Sequence, residues 1–191
     1  MDTFKFYTDL GFWHVIDLEG LDHLFFITTL ALPFAFSKSK KLIWWVTLFT
    51  LGHTLSLVGN VYAEIKFSSY WVELLIPVTI AISAISLLLK KRTSIADKTS
   101  WFFPILTILF GVIHGLGFGR YFSLLIPEGS VGSSLLSFAL GVELAQILIV
   151  LGVLILNIIV IDFMKRSRLK WEFLIGAMVL SQALTMIFER I

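Results

Sequence analysis

Long apolar runs interrupted by few charges constrain the fold of this chain more than any other feature. A helix needs about 20 apolar residues to cross a hydrocarbon core about 30 Å thick. Six segments approach or exceed that length, at roughly residues 21–37, 42–62, 70–89, 101–126, 132–163 and 171–188. The sequence therefore predicts an all-α polytopic membrane protein with six transmembrane helices in a single membrane domain.

Composition excludes most soluble classes of protein. Of the 191 residues, 58% are hydrophobic and 15% are charged, and none is cysteine. A soluble domain of this size could not bury that much apolar surface. The absence of cysteine excludes disulfide scaffolds and thiolate metal sites. A net charge of +2 without an extended basic stripe argues against nucleic acid, and the expected surroundings are a lipid bilayer.

The distribution of basic residues predicts the orientation of the spans. Eleven of the 15 basic residues fall in alternate loops, which the positive-inside rule places in the cytoplasm, so both termini are predicted on the outer side. Residues 1–20 are too polar to cross and are predicted to form an N-terminal interfacial helix. We expect a multi-pass protein of a bacterial-type inner (plasma) membrane, and the sequence leaves open whether it is a homo-oligomer. The eleven basic residues in alternate loops are Lys38, Lys40, Lys41, Lys90, Lys91, Arg92, Lys98, Lys165, Arg166, Arg168 and Lys170.

Imidazole and carboxylate side chains occur in five of the predicted spans. Because an ionised group near the bilayer centre costs roughly 2.5–3.5 kcal/mol on insertion scales, these side chains should face one another or a cavity. At 1.5 Å per residue, His53, His114 and Glu143 lie near the midplane, and the others lie toward the outer side. The set comprises Asp22 and His23 in the first span, His53 in the second, Glu73 in the third, His114 in the fourth and Glu143 in the fifth, with His14 just before the first.

These donor types indicate a divalent transition metal ion. Imidazole nitrogen and carboxylate oxygen together suit Ni, Co or Zn, whereas the four methionines form no spaced cluster that would select Cu(I). Thr50, Ser56 and Gln146 lie close in sequence to the candidate ligands and are predicted to support them through hydrogen bonds.

Three functions fit this pattern. The first is a permease that catches a metal ion at the outer groups and passes it to the central ones. The second is an intramembrane zinc-dependent hydrolase, in which one carboxylate acts as the base on a metal-bound water. The third is a sensing or assembly partner that transports nothing.

Five segments in register resemble the HupE/UreJ family of membrane proteins, over roughly residues 11–150. The resemblance implies a small permease for a divalent transition metal, usually taken to be nickel, that supplies hydrogenase or urease. It implies metal ligands at His14, Asp22, His23, His53, Glu73, His114 and Glu143; the spacing from His14 to Asp22 is about two residues longer than in the name-giving members. The segments are GFWHVIDLEGLDHLFF (11–26), TLFTLGHTLSL (47–57), VELLIPVTIAISAI (72–85), FGVIHGLGFG (110–119) and SFALGVELAQ (137–146).

Overall fold

The computed structural model describes residues 3–17, 20–63, 67–89, 101–126 and 130–191, and in these ranges it is helical without strands. The α-helices are α1 (Thr3–Ile16), α2 (Asp22–Ala31), α3 (Ser39–Ala63), α4 (Ser69–Leu88), α5 (Phe102–Leu125), α6 (Val131–Asn157) and α7 (Arg168–Phe188). A 3₁₀ turn at Phe36–Lys38 leads into α3, and a π-helical segment at Ile158–Phe163 continues α6.

Five helical rods of the described chain are long and apolar enough to cross a membrane. They contain 20 to 33 residues each, which at 1.5 Å per residue gives at least about 30 Å. The predicted second to sixth spans are therefore confirmed as membrane-length helices. The rods are Phe36–Ala63, Ser69–Leu88, Phe103–Leu125, Val131–Phe163 and Arg168–Phe188.

The predicted first span over 21–37 is not confirmed as a continuous helix. Helix α2 has only 10 residues, Asp22–Ala31, a length of about 15 Å that cannot cross a bilayer alone. Pro33 explains why it ends there: Leu32 still donates its backbone N–H to the Thr28 carbonyl, but proline has no backbone N–H with which to continue the helix.

Helices α1 and α2 lie one after the other along α6. At one point α1 crosses α6 so closely that a Cβ on Gly11 would collide with the Phe138 carbonyl, and a Cβ on Gly141 with the Thr8 carbonyl. Further along, α2 ends beside the last turn of α6, where Asn157 Nδ2 donates to the Leu32 carbonyl at 3.0 Å. The break between the two short helices therefore falls beside the middle of α6; residues 18–19 in it lie outside the described ranges.

Glycines also bring α3 and α5 into close contact. A Cβ on Gly52 would meet the Ile108 carbonyl, and one on Gly111 would meet the Phe49 carbonyl. One turn further, a Cβ on Gly115 would collide with the Ser56 hydroxyl. Small residues let helix backbones approach closely in a membrane. The close contact therefore fixes which side chains lie next to each other at the middles of α3 and α5.

Orientation relative to a bilayer stays a prediction. The basic residues Lys90, Lys91, Arg92 and Lys98 of the third predicted loop lie outside the described ranges, and so do residues 1–2 at the N-terminus. The interfacial placement of residues 1–20 is likewise untested, although α1 buries Tyr7 and Val15 in the bundle. We call the end of the bundle at which α3 and α5 begin the inner end, after the predicted orientation.

Candidate metal centre

All four histidines of the chain come together in the middle of the bundle. His14 stands near the end of α1, His23 at the start of α2, and His53 and His114 at the middles of α3 and α5. The rings of His23 and His114 are 4.1 Å apart between centroids, and those of His14 and His23 are 4.8 Å apart. His23 and His53 are 1% exposed and His114 is 3% exposed, so the cluster is shielded from solvent.

The ligand atoms of these side chains are close enough to hold an ion. One group, of His14, His23 and His53, has one nitrogen from each ring within 4.8 Å of the others. A second group, of Asp22, His23 and His114, meets the same limit and shares His23 with the first. Metal–nitrogen bonds of about 2.0–2.1 Å separate ligand atoms by about 3–4 Å, so binding requires only small side-chain shifts.

Asp22 joins two of the imidazoles. Its Oδ2 lies 3.1 Å from His114 Nε2, and its Oδ1 lies 3.3 Å from His23 Nδ1. The backbone N–H of His23 also donates to Asp22 Oδ1 at 2.9 Å, which fixes the carboxylate at the first turn of α2. A carboxylate in this position can ligate the ion directly or orient the histidines and raise their basicity.

Several of the buried ring nitrogens lack hydrogen bonds within the described chain. His14 Nε2 and His53 Nε2 have no partner, and neither nitrogen of His23 or His114 is aligned for a proper hydrogen bond despite the nearby Asp22. Buried polar groups are nearly always hydrogen-bonded, and each exception requires an explanation such as an ion. The donor set of four imidazoles and one carboxylate fits a divalent transition metal.

Phenylalanine rings enclose the cluster on both sides. On the inner side, Phe26 stacks on Phe110 at 3.7 Å, and Phe49 lies 5.6 Å from Phe110. All three rings are at most 1% exposed. On the outer side, Phe118 and Phe138 stack at 5.2 Å. Aromatic rings therefore border the described part of the cluster on both sides, while Asp22 at its edge stays 19% exposed.

Glu143 lies outside both groups of ligand atoms. Its carboxylate accepts hydrogen bonds from Thr47 Oγ1, at 2.7 Å, and from Thr50 Oγ1. Thr50 Oγ1 is also 3.0 Å from Gln146 Oε1. Two of the three predicted supporting residues thus surround Glu143 instead of the histidines. The third, Ser56, donates to the His53 carbonyl at 2.7 Å and so packs beside a candidate ligand.

Glu73 is also separate from the cluster. It is exposed on α4 and lines a cavity of about 650 Å³ between the outer ends of α3, α4 and α5. Asn60 and Arg120 share this cavity. Gly117, on its wall, is only three residues beyond His114, so the cavity begins about one helical turn outward of His114 along α5.

Sequence reasoning missed the aromatic layers and Thr47. The sequence did contain a signal for the layers: Phe49 and Phe110 each precede a histidine, His53 or His114, by four residues. Residues four apart share a helix face, so each inner phenylalanine lies one turn below the imidazole on its helix.

Fold and site together define a class: a multi-pass helical membrane protein with a buried cluster of histidine and aspartate. The chain matches the family described as HupE / UreJ protein over residues 1–190. It belongs to that family, which is associated with nickel and cobalt transport. The comparisons with curated proteins and with solved structures gave no significant match.

Proposed function

We propose that the chain is a permease for a divalent transition metal ion, nickel or cobalt, in a bacterial inner membrane. One observation carries this proposal: four imidazoles and a carboxylate, from four helices, meet in the middle of the bundle with ring nitrogen atoms that lack hydrogen bonds within the described chain.

Helices α1 and α2 together form the first of six crossings in this proposal. Their lengths of 14 and 10 residues add to about 36 Å, enough for a hydrocarbon core of about 30 Å. Both lie along α6, and the break between them ends at Asp22, the first residue of α2, and stands next to His14 and His23. Transporters commonly bind ions where a crossing helix is broken at membrane depth. In this proposal α1 is the outer half of the first crossing and not the interfacial helix that the sequence predicted.

The route of the ion follows from the order of the sites. The cavity that contains Glu73 receives the ion from the outer side, and the histidine cluster then binds it at the middle of the bundle. Inward release requires the Phe26–Phe110 stack to separate. A divalent ion gains about 4.6 kcal/mol per 100 mV of inward-directed membrane potential, so transport can proceed without nucleotide hydrolysis.

The zinc-enzyme alternative has less support. A metal hydrolase needs an acid–base group beside the metal-bound water. Among the described residues, the sequence candidates for that base are elsewhere: Glu143 is bonded to threonines and Glu73 lines the outer cavity.

The direct test is metal uptake by proteoliposomes loaded with a nickel-sensitive dye. We expect the wild type to take up nickel and His53→Ala and His114→Ala to lose most of that uptake. Asp22→Asn should have a similar effect, with Asp162→Asn as the matched control, because Asp162 is exposed at the inner end of the α6 rod. Uptake that is absent in the wild type, or equal in the histidine variants, contradicts the proposal.

A further inference from the structure

The cavity between the outer ends of α3, α4 and α5, here called the outer cavity, contains a positive charge that capture of a bare cation does not need. Arg120 of α5 and Glu73 of α4 both line it, and they are the charged side chains among the described residues of its wall. Their charges cancel, so the described wall carries no net charge. A cleft concentrates ions by presenting charge of one sign, and the outer cavity is therefore poorly suited to attract free metal ions.

The polar groups of the outer cavity come from three helices. On α5, Gly117 and Arg120 are three residues apart, and on α4, Ser69 and Glu73 are four apart, so each pair shares a helix face. Asn60 contributes from α3, and its Nδ2 donates to the Ser56 carbonyl at 2.9 Å. The described wall thus presents a guanidinium, a carboxylate, an amide and a hydroxyl group to one space.

The guanidinium of Arg120 is free to bind a ligand. Its side chain forms no ion pair or hydrogen bond within the part of the chain that the structure describes, and Glu73 does not approach it at ion-pair distance. Arginine offers five N–H donors in a planar fork that matches the two oxygens of a carboxylate. An arginine that served only to balance Glu73 would pair with it, whereas Arg120 stands apart from Glu73 in the same cavity.

The outer cavity is also larger than a hydrated ion requires. An ion with six waters occupies about 200 Å³, at about 30 Å³ per water, whereas the cavity has a volume of about 650 Å³. Sites for small organic ligands range from about 300 to 1,000 Å³. Volume and charge together indicate a ligand that is larger than the metal ion and carries negative charge.

We propose that the outer cavity binds the transition metal as a complex with a small carboxylate chelator, and that Arg120 holds a carboxylate of the chelator. The guanidinium pairs with that carboxylate through two charge-assisted hydrogen bonds, while the metal end of the complex is attracted to Glu73. The inference rests on the proposed permease function and names the chemical form in which the metal arrives.

Ligand exchange then transfers the metal from the chelator to the histidine cluster. The outer cavity begins about one helical turn outward of His114 along α5. For each metal–oxygen bond to the chelator that breaks, one metal–nitrogen bond to an imidazole forms, and no electron is transferred. Imidazole suits nickel better than carboxylate does, so the exchange is favourable. The chelator returns to the outer side with its carboxylates ionised.

A binding experiment tests the outer cavity independently of transport. Equilibrium dialysis of purified protein against radioactive citrate, with and without nickel, measures retention of the chelator itself. Arg120→Gln removes the guanidinium. Arg190→Gln is the matched control, because Arg190 follows α7 at the same end of the bundle, donates to the Met186 carbonyl and is not on the described wall of the cavity.

We expect the wild type and Arg190→Gln to retain citrate when nickel is present, and Arg120→Gln to bind nickel citrate at least fivefold more weakly. The proposal is overturned if the wild type retains no citrate, or if Arg120→Gln retains as much as the wild type. It is also overturned if citrate binds equally well without nickel, because the site would then recognise the anion and not the metal complex.

Uptake by proteoliposomes separates a failure of this inference from a failure of the permease function. Nickel is supplied as nickel citrate or as nickel chloride in a non-coordinating buffer. In Arg120→Gln, the ratio of uptake from citrate to uptake from chloride should fall at least fivefold. An arginine that only supports the fold, or that binds a lipid phosphate, would affect both forms alike, and an unchanged ratio therefore overturns the inference. If the wild type takes up neither form, the permease function fails, and dialysis still decides what the cavity binds.

Discussion

The imidazole rings of His23 and His114 meet edge to face, 4.1 Å apart, with the carboxylate of Asp22 bridging them. Asp22 therefore fixes the orientation of both rings, because each of its carboxylate oxygens lies beside one ring nitrogen of the pair.

Replacing Asp22 by asparagine should weaken nickel binding by about 10–100-fold, the usual effect of removing a carboxylate that orients histidine ligands. The fold should persist, because asparagine also supports the first turn of a helix. Equilibrium dialysis with radioactive nickel measures the affinity, with Asp162→Asn as the control. An unchanged affinity would mean that Asp22 neither binds the metal ion nor orients the histidine ligands.

Nickel affinity should fall at acid pH. Only the neutral imidazole binds a metal, so protons compete with the ion at low pH. With at least one proton displaced per ion, we expect a loss of about tenfold per pH unit once the histidines begin to bind protons. Affinity that stays constant with decreasing pH for as long as the protein remains folded would contradict histidine ligation.

Gly115→Ala should destabilise the protein and reduce metal binding. The added Cβ collides with the Ser56 hydroxyl and the His53 carbonyl, so α3 and α5 must separate. Overpacking of this kind costs about 1–3 kcal/mol. Gly152→Ala is the matched control, because a Cβ there meets nothing within 4 Å. Thermal unfolding in detergent measures the effect, and equal midpoints for the two variants would contradict the close contact.

Phe110→Ala should open the inner side of the metal cluster. The change removes the ring that stacks on Phe26 at 3.7 Å, so metal preloaded on the protein should exchange several times faster. Phe173→Ala is the control, since Phe173 is exposed on α7. Stopped-flow release of nickel to a chelator reports the exchange rate. No acceleration would show that the phenylalanine layer is not a barrier.

Cysteine labelling tests whether α1 and α2 form one broken crossing. Because the chain has no cysteine, single substitutions at Thr3 and at Ser39 give unambiguous signals. In intact cells, an impermeant maleimide should label Thr3→Cys from outside, whereas Ser39→Cys should react only after the membrane is permeabilised. Labelling of both from the same side would contradict the broken crossing.

The sequence was sufficient to predict five membrane-length helices and the meeting of His23, His53 and His114, but it left open whether His14 joins them. Length and apolar composition determine whether a helix can cross a bilayer, and both are local properties of the chain. The requirement to pair intramembrane polar groups placed His53 and His114 in one site in the prediction, and in the structure both rings lie beside His23. Their role as metal ligands stays a prediction.

Sequence reasoning could not reach features that depend on packing between distant segments. The interfacial placement of residues 1–20 stays a prediction, but their polarity alone did not indicate that α1 buries Tyr7, Gly11 and Val15. Glu143 was grouped with the histidines by depth, but depth does not give the direction in which a side chain points. On α6 it faces Thr47 and Thr50, and only the relative rotation of α3 and α6 decides that.

Anomalous scattering at the nickel absorption edge, from crystals of the nickel-loaded protein, tests the central claim most directly. The account predicts a single strong peak within about 2.5 Å of nitrogen atoms from at least two of His14, His23, His53 and His114. A nickel peak elsewhere in the bundle, or no peak from protein shown to transport nickel, would contradict it.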